Sequence, residues 1–386
     1  MRWRRSAERR NTSWTGDRVG GWAPYGTRDD RPGGTAPGGA GPGGAGPDRS
    51  VAQNPRVQQR RRGRGEQLMV PDAEFRSYYD RPIIKPPVWK VPDVPTYLYL
   101  GGVAGVSSAT AALADATGRP VLRRVGRLAA AFGATVSVGA LVHDLGRPTR
   151  FLHMLRVFKP TSPLSVGSWI LAPFGALAGA TAASELTGIA PGLARLAGAG
   201  AGALGPALTT YTAVLLADTA VPAWHEAYRE LPFVFAGSAL ASGGGVGMLA
   251  GHEAGPARAI AVAGAAVELA ATSVLERRIG LAARAYRTGR AGAVLKAARA
   301  ATVAGAVGAV LSAKAGRHTR LLSVVSAALL NAGSAATRYG VFEAGMASAR
   351  DPEYTVVPQR ERLDARAQGV AVDRTADRSS PPAVST

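Results

Sequence analysis

The chain has 386 residues, a formal net charge of +20 and no cysteine. The missing thiols exclude disulfides, thiolate metal sites and an iron–sulfur cluster ligated by this chain. A hydrophobic content of 46% and a mean hydropathy of +0.03 average over two unlike materials, so the segments are read one by one.

Residues 1–68 hold 14 Arg, no Lys and six acidic residues, and the run from Pro32 to Pro47 is almost wholly Gly, Pro and Ala. Such a composition cannot bury enough apolar surface to offset the entropy of ordering it, so a disordered tail is expected. Arg2, Arg4 and Arg5 are followed by no apolar run, so the opening is not a signal peptide. Met69 precedes the first segment patterned for structure, which leaves open a start codon placed too early and a genuine cytoplasmic tail. The Arg-Gly stretch around Arg60, Arg61, Arg62 and Arg64 reads as a solvated or lipid-headgroup-binding segment in preference to a nucleic-acid arm.

Residues 69–94 form a Pro-rich strap. In the stretch from Tyr78 to Tyr99 the prolines at 82, 86, 87, 92 and 95 oppose helix, and Trp89, Tyr97 and Tyr99 suit an aromatic belt at a membrane interface. Residues 95–345 are Ala, Gly, Leu and Val with sparse charges. A bilayer-spanning helix needs about 20 mostly apolar residues. Eight candidates follow: 95–115, 125–145, 165–187, 196–221, 231–251, 257–277, 293–313 and 321–343. Stretches such as Gly198-Ala-Gly-Ala-Gly-Ala are poor soluble helices but favour close helix packing in a bilayer. The fold class expected is therefore all-α, a polytopic transmembrane bundle of about eight spans. Residues 346–386 are expected to be a disordered C-terminal tail.

Polar residues gather at three places: the strap, the segment His143 to Phe151, and the segment Trp224 to Pro232 with Asp218 before it. Eight spans put all three on one side of the membrane. That side also has the greater share of Lys and Arg, which places both termini in the cytoplasm of a plasma-membrane protein. His143 beside Asp144 is a pair of ionisable groups near hydrocarbon, a functional signal by default. Asp218, Glu185 and Glu268 are each either an Arg partner or a proton-handling group, Glu185 leaning to the former. A cytochrome b would need His pairs inside facing spans; His143, His153, His225, His252 and His318 all fall at helix ends or in loops, so no haem is expected. No metal site is expected either.

The strings YYDRPIIKPPVW, PTYLYLGGVAGVSS, HDLGRPTRFLHMLRVFKPTSPLSVGSWIL and TYTAVLLADTAVPAWHEAYRELPFVFAGSA resemble the NrfD/polysulfide-reductase membrane subunit family in its actinobacterial form, over roughly residues 75–345. The resemblance implies a haem-free chain that anchors a complex and exchanges electrons and protons with the quinone pool, menaquinone or ubiquinone. It implies a ferredoxin-like iron–sulfur subunit and a molybdopterin catalytic subunit as partners, alongside membrane lipid. The chain itself is then a non-catalytic or quinone-reactive subunit. By the same likeness the quinone pocket lies on the face of the three clusters. His143 would hydrogen-bond a quinone carbonyl and donate a proton, with Asp144 orienting or recharging it. Tyr97 or Tyr99 would cap the other carbonyl, Arg147 and Trp224 would complete the contacts, and Asp218, His225 and Glu226 would line the proton route. Two alternatives stand beside this reading: a membrane anchor without a working quinone site, and an ion or solute transporter with Asp218 and Glu268 in its pathway.

Overall fold

A computed structural model of the chain describes residues 82–147, 149–314 and 316–367. The expected tail 1–68, the first part of the strap and residues 368–386 lie outside the described residues. Among the described residues there is no strand.

The eight expected spans correspond to eight long helices. In chain order they are α1 (Asp93–Ala116), α2 (Pro120–Asp144), then after a short α3 (Thr149–Met154) α4 (Pro163–Thr187), α5 (Pro191–Ala217), and after a short α6 (Pro222–Glu226) α7 (Leu231–Gly247). Next come α8 (Gly255–Arg278), the one-turn α9 (Ala283–Arg287), α10 (Gly289–Ser312), α11 (Thr319–Arg350) and α12 (Glu353–Ala367). Seven of the long helices are long and apolar enough to cross a membrane. The eighth, α11, is longer but carries Arg320, Asn331, Arg338, Glu343 and Arg350, which keep it out of that set.

Proline starts many of these helices. Pro120, Pro163, Pro191 and Pro222 each stand at a first helical position, where the missing N–H would have had no partner and the fixed φ suits the helix. This rule moves two boundaries from expectation: α2 begins at Pro120 and not at 125, and α5 runs from Pro191 to Ala217 and not over 196–221. Gly188, at φ 74°, ends α4 in the left-handed region that glycine occupies without strain.

Sequence neighbours pair as antiparallel hairpins, α1 with α2, α4 with α5, α7 with α8 and α10 with α11; α1 also lies against α5 and α7. Small residues permit the contacts. A Cβ on Gly105 of α1 would collide with the backbone of Gly205 on α5, and one on Gly264 of α8 with the backbone of α7 at Ala241. Dispersion between closely approached backbones replaces the hydrophobic drive that lipid does not supply. The outward surface stays apolar, with Phe132, Leu193, Leu196, Phe233 and Val307 exposed.

At one end of the bundle, Arg123 and Arg127 both bond Glu185 at 2.9 Å and both reach Asp115. Glu185 is thus the structural partner of two arginines. The other end holds the strap, α6, α9 and α12. Of the tail expected over 346–386, the described part is mostly helix: α11 continues to Arg350 and α12 spans Glu353–Ala367.

Candidate functional site

Residues 82–92 of the strap form no helix, as their prolines require. The strap is fastened at three points. The Lys90 backbone N–H donates to Asp144 Oδ1 at 2.9 Å, and the Lys90 ammonium donates to the His143 carbonyl at 3.0 Å. Asp93, in the first turn of α1, meets His143 Nδ1 at 2.7 Å. The charges suit their places: a carboxylate at a helix N-terminus, and an ammonium and an imidazole at a helix C-terminus. The third point is Trp89, stacked on Trp224 at 5.5 Å between ring centroids.

Trp224 is fully buried. Its Nε1 donates to the Val341 carbonyl at 2.8 Å and its ring meets Phe342 at 6.0 Å. The rest of α6 is held as firmly. Tyr286 donates its hydroxyl to the Ala223 carbonyl at 2.9 Å, and the Ala223 N–H donates to Ser348 Oγ at 3.2 Å. Burial pushes the Tyr286 phenol above its ordinary pKa, so it stays a donor. A helix of five residues cannot hold itself in water; these contacts to α9 and α11 hold it instead, and so orient the next two side chains, His225 and Glu226.

Beside α6 opens a cleft of about 1220 Å³. Its polar lining includes Asp218, His225, Glu226, Tyr228 and Arg278; its apolar lining includes Ile83 and Ile84 of the strap, Ile279 and Leu281. The third wall is α12, through Tyr354, Pro358, Gln359 and Arg362. Two ion pairs frame it. Arg278 forks onto Glu230, with Nη2 to Oε2 at 2.6 Å, and also donates to the Glu226 carbonyl at 2.5 Å. Arg284 pairs with Glu353 and lies over the Tyr354 ring, 5.6 Å from its centroid. The Glu353 hydrogen bond pushes the Arg284 guanidinium above its usual value, so this latch is charged at any physiological pH.

His225 Nδ1 lies 3.2 Å from the Ala217 carbonyl. A carbonyl only accepts, so Nδ1 carries the proton and Nε2 is left to accept or, in the imidazolium, to donate. Asp218 and Glu226 are exposed beside it. This arrangement can pass protons between solvent and a ligand in the cleft.

The nine residues expected at the site therefore divide. Asp218, His225 and Glu226 share the cleft. His143 and Asp144 belong to the strap clasp, and the residue on His143 Nδ1 is Asp93. His143 has a side-chain exposure of 75%, a surface position. Arg147 is exposed in the turn after α2. Trp224 is a keystone of the packing with its N–H already used. Tyr97 is buried, within electrostatic range of Tyr211 and Asp144, while Tyr99 donates to Asn331 Oδ1 at 2.7 Å. Two residues apart on a helix are about 200° apart in azimuth, so these tyrosines face different neighbours.

Arg278 and α12 were missed as site elements. A signal for α12 was present: Asp351-Pro352-Glu353 is a helix start, and Asp351 Oδ1 accepts the Glu353 N–H at 2.9 Å.

A family model described as polysulphide reductase, NrfD, matches residues 83–257. Over those residues the chain is similar to that family. The match begins in the strap and contains the clasp, Asp218, α6 and both residues of its exposed tip. Together with the seven apolar helices it makes this a multi-pass membrane protein related to the membrane subunits of polysulphide reductase-like complexes. No curated protein matches the chain.

Proposed function

We propose that the chain is the quinone-interacting membrane subunit of an iron–sulfur/molybdopterin-type oxidoreductase complex, and that the cleft beside α6 is its quinone site. The observation that carries this is the convergence of His225, Asp218 and Glu226 with the apolar side chains of Ile83, Ile84, Ile279 and Leu281 in one cleft at one end of the bundle. Ligand sites of this kind are mostly apolar with a few placed polar groups. Quinone reduction takes two electrons and two protons. The chain has no cysteine, so the electrons come from clusters on a ferredoxin-like partner, with a molybdopterin subunit beyond it. The protons are this chain's part. His225 donates from Nε2 to a quinone carbonyl, and Asp218 and Glu226 recharge it from solvent.

The His143 clasp takes a different role from the one first expected. It holds the strap in place, and the strap supplies a cleft wall through Ile83 and Ile84. With Arg147, Arg150, Arg156 and Lys159 nearby in sequence, it offers a basic docking surface for the iron–sulfur subunit. The charge bias of the loops supports a cytoplasmic placement of this face and of both termini, in the plasma membrane.

The test is purification of the full chain from its native membranes in mild detergent, with mass spectrometry of bound proteins and extracted quinones. Menaquinone or ubiquinone that co-purifies with the parent and is lost in His225→Ala supports the assignment. An iron–sulfur partner without quinone leaves a bare membrane anchor. A chain that emerges alone refutes the redox reading.

A further inference from the structure

We propose that Glu268 and Arg338 bound an internal proton-exchange site, served by water and set within the helix bundle away from the cleft. Both side chains are enclosed, Glu268 at 3% and Arg338 at 0% exposure. Each has made only part of its hydrogen bonding. Thr337 donates its hydroxyl to Glu268 Oε1 at 2.5 Å; Arg338 Nη2 donates to the Phe235 carbonyl at 2.6 Å, and its guanidinium lies 3.8 Å from the Phe235 ring centroid. Glu268 Oε2 and Arg338 Nε and Nη1 find no hydrogen-bond partner among the described residues.

Three orphaned polar atoms in one interior region are costly, because a buried donor or acceptor without a partner keeps its full desolvation penalty. A water needs two to four polar partners to be held inside a protein, and this place offers them. A pair that served only to join helices would be expected to turn its free oxygen and N–H groups onto each other. Here the arginine is spent on the α7 backbone and the carboxylate on Thr337. The carboxylate is left with one oxygen open to accept a proton.

The surroundings place more polar groups beside the site. On α11 the polar side chains Asn331, Ser334 and Arg338 follow one another at i, i+3 and i+7, a single helix face. Ser334 meets Ser238 at 2.7 Å, and Asn331 holds Tyr99 and the Ser242 carbonyl. The line covers about 10 Å of helix and leads away from the cleft. On the cleft side the next residues are Val341 and Phe342, packed with Trp224, which is apolar closure. Arg338 is the charge that faces Glu268 from α11, beside the Thr337 hydroxyl. From α7 it meets the Gly237 backbone, and from α10 Arg299 pairs with Glu276, two turns along α8. The step is a proton transfer alone: hydronium reaching the site gives a proton to Glu268 Oε2 and becomes water, the reverse transfer restores the carboxylate, and no electron moves.

The experiment uses the full chain in lipid nanodiscs, without quinone or partner, so that it is independent of the cleft assignment. Infrared difference spectra are recorded between acid and alkaline pH, in H2O and in D2O. The expected result is a carboxylic acid C=O band that appears reversibly on acidification, moves in D2O, is lost in Glu268→Gln and is displaced in Thr337→Val. A band set unchanged by Glu268→Gln, or one insensitive to D2O, makes the pair a sealed structural contact and overturns the proposal. Should Glu268→Gln fail to give monodisperse protein, Thr337→Val decides, since an unmoved band overturns it equally.

Discussion

Arg278→Ala tests the frame of the cleft. In the parent, Arg278 forks onto Glu230 and donates to the Glu226 carbonyl at 2.5 Å, so one side chain ties the end of α8 to the α6–α7 turn. Glu230 is 7% exposed. Removing the arginine leaves that carboxylate desolvated and unpartnered. Breaking a fully buried pair costs about 3–5 kcal/mol. The Arg278 side chain is one-third exposed, so water recovers part of this, and the discount brings the expected loss to about 2 kcal/mol. The assay is chemical unfolding in mixed micelles, with the double-mutant cycle Arg278→Ala and Glu230→Gln. The cycle should return a coupling of about 1–2 kcal/mol, and quinone retention should fall about tenfold as the wall loosens. A single variant within about 0.5 kcal/mol of the parent, or a coupling near zero, would refute the reasoning.

Gly345→Ala should destabilise by at least about 2 kcal/mol, since a Cβ there would lie inside the Trp224 indole; the unfolding midpoint and tryptophan fluorescence report it together. Glu353→Gln should release the Arg284 latch and speed exchange of bound quinone while barely moving the unfolding midpoint, because the pair is partly exposed; unchanged exchange kinetics would show that α12 does not gate the cleft. Asp93→Asn should free the strap, measured as faster amide hydrogen exchange over 83–92, and should weaken capture of the iron–sulfur subunit more than it weakens quinone binding.

The sequence by itself determined the bundle. A bilayer demands a fixed length of apolar residues per crossing, and that demand is local, so eight long helices could be read from composition, with ends as much as seven residues off where α11 runs on to Arg350 and not 343. Glu185 was legible for the same reason, as a carboxylate between apolar spans with arginines nearby. The tertiary structure decided which polar residues meet. Adjacent residues on a helix point about 100° apart, and the residue on His143 Nδ1 is Asp93, fifty residues earlier in the chain, a contact that sequence proximity does not reveal. Trp224 looked like a ligand contact because it sits among polar residues; only packing shows its N–H committed to Val341 and its ring to Trp89 and Phe342. The cleft depends on Asp218, Arg278 and Tyr354, which share no sequence spacing and are brought together by the return of α11 beside α6. Periodicity reports which face of one helix is apolar. Which partner fills that face depends on how the helices are arranged, and no single segment carries that information.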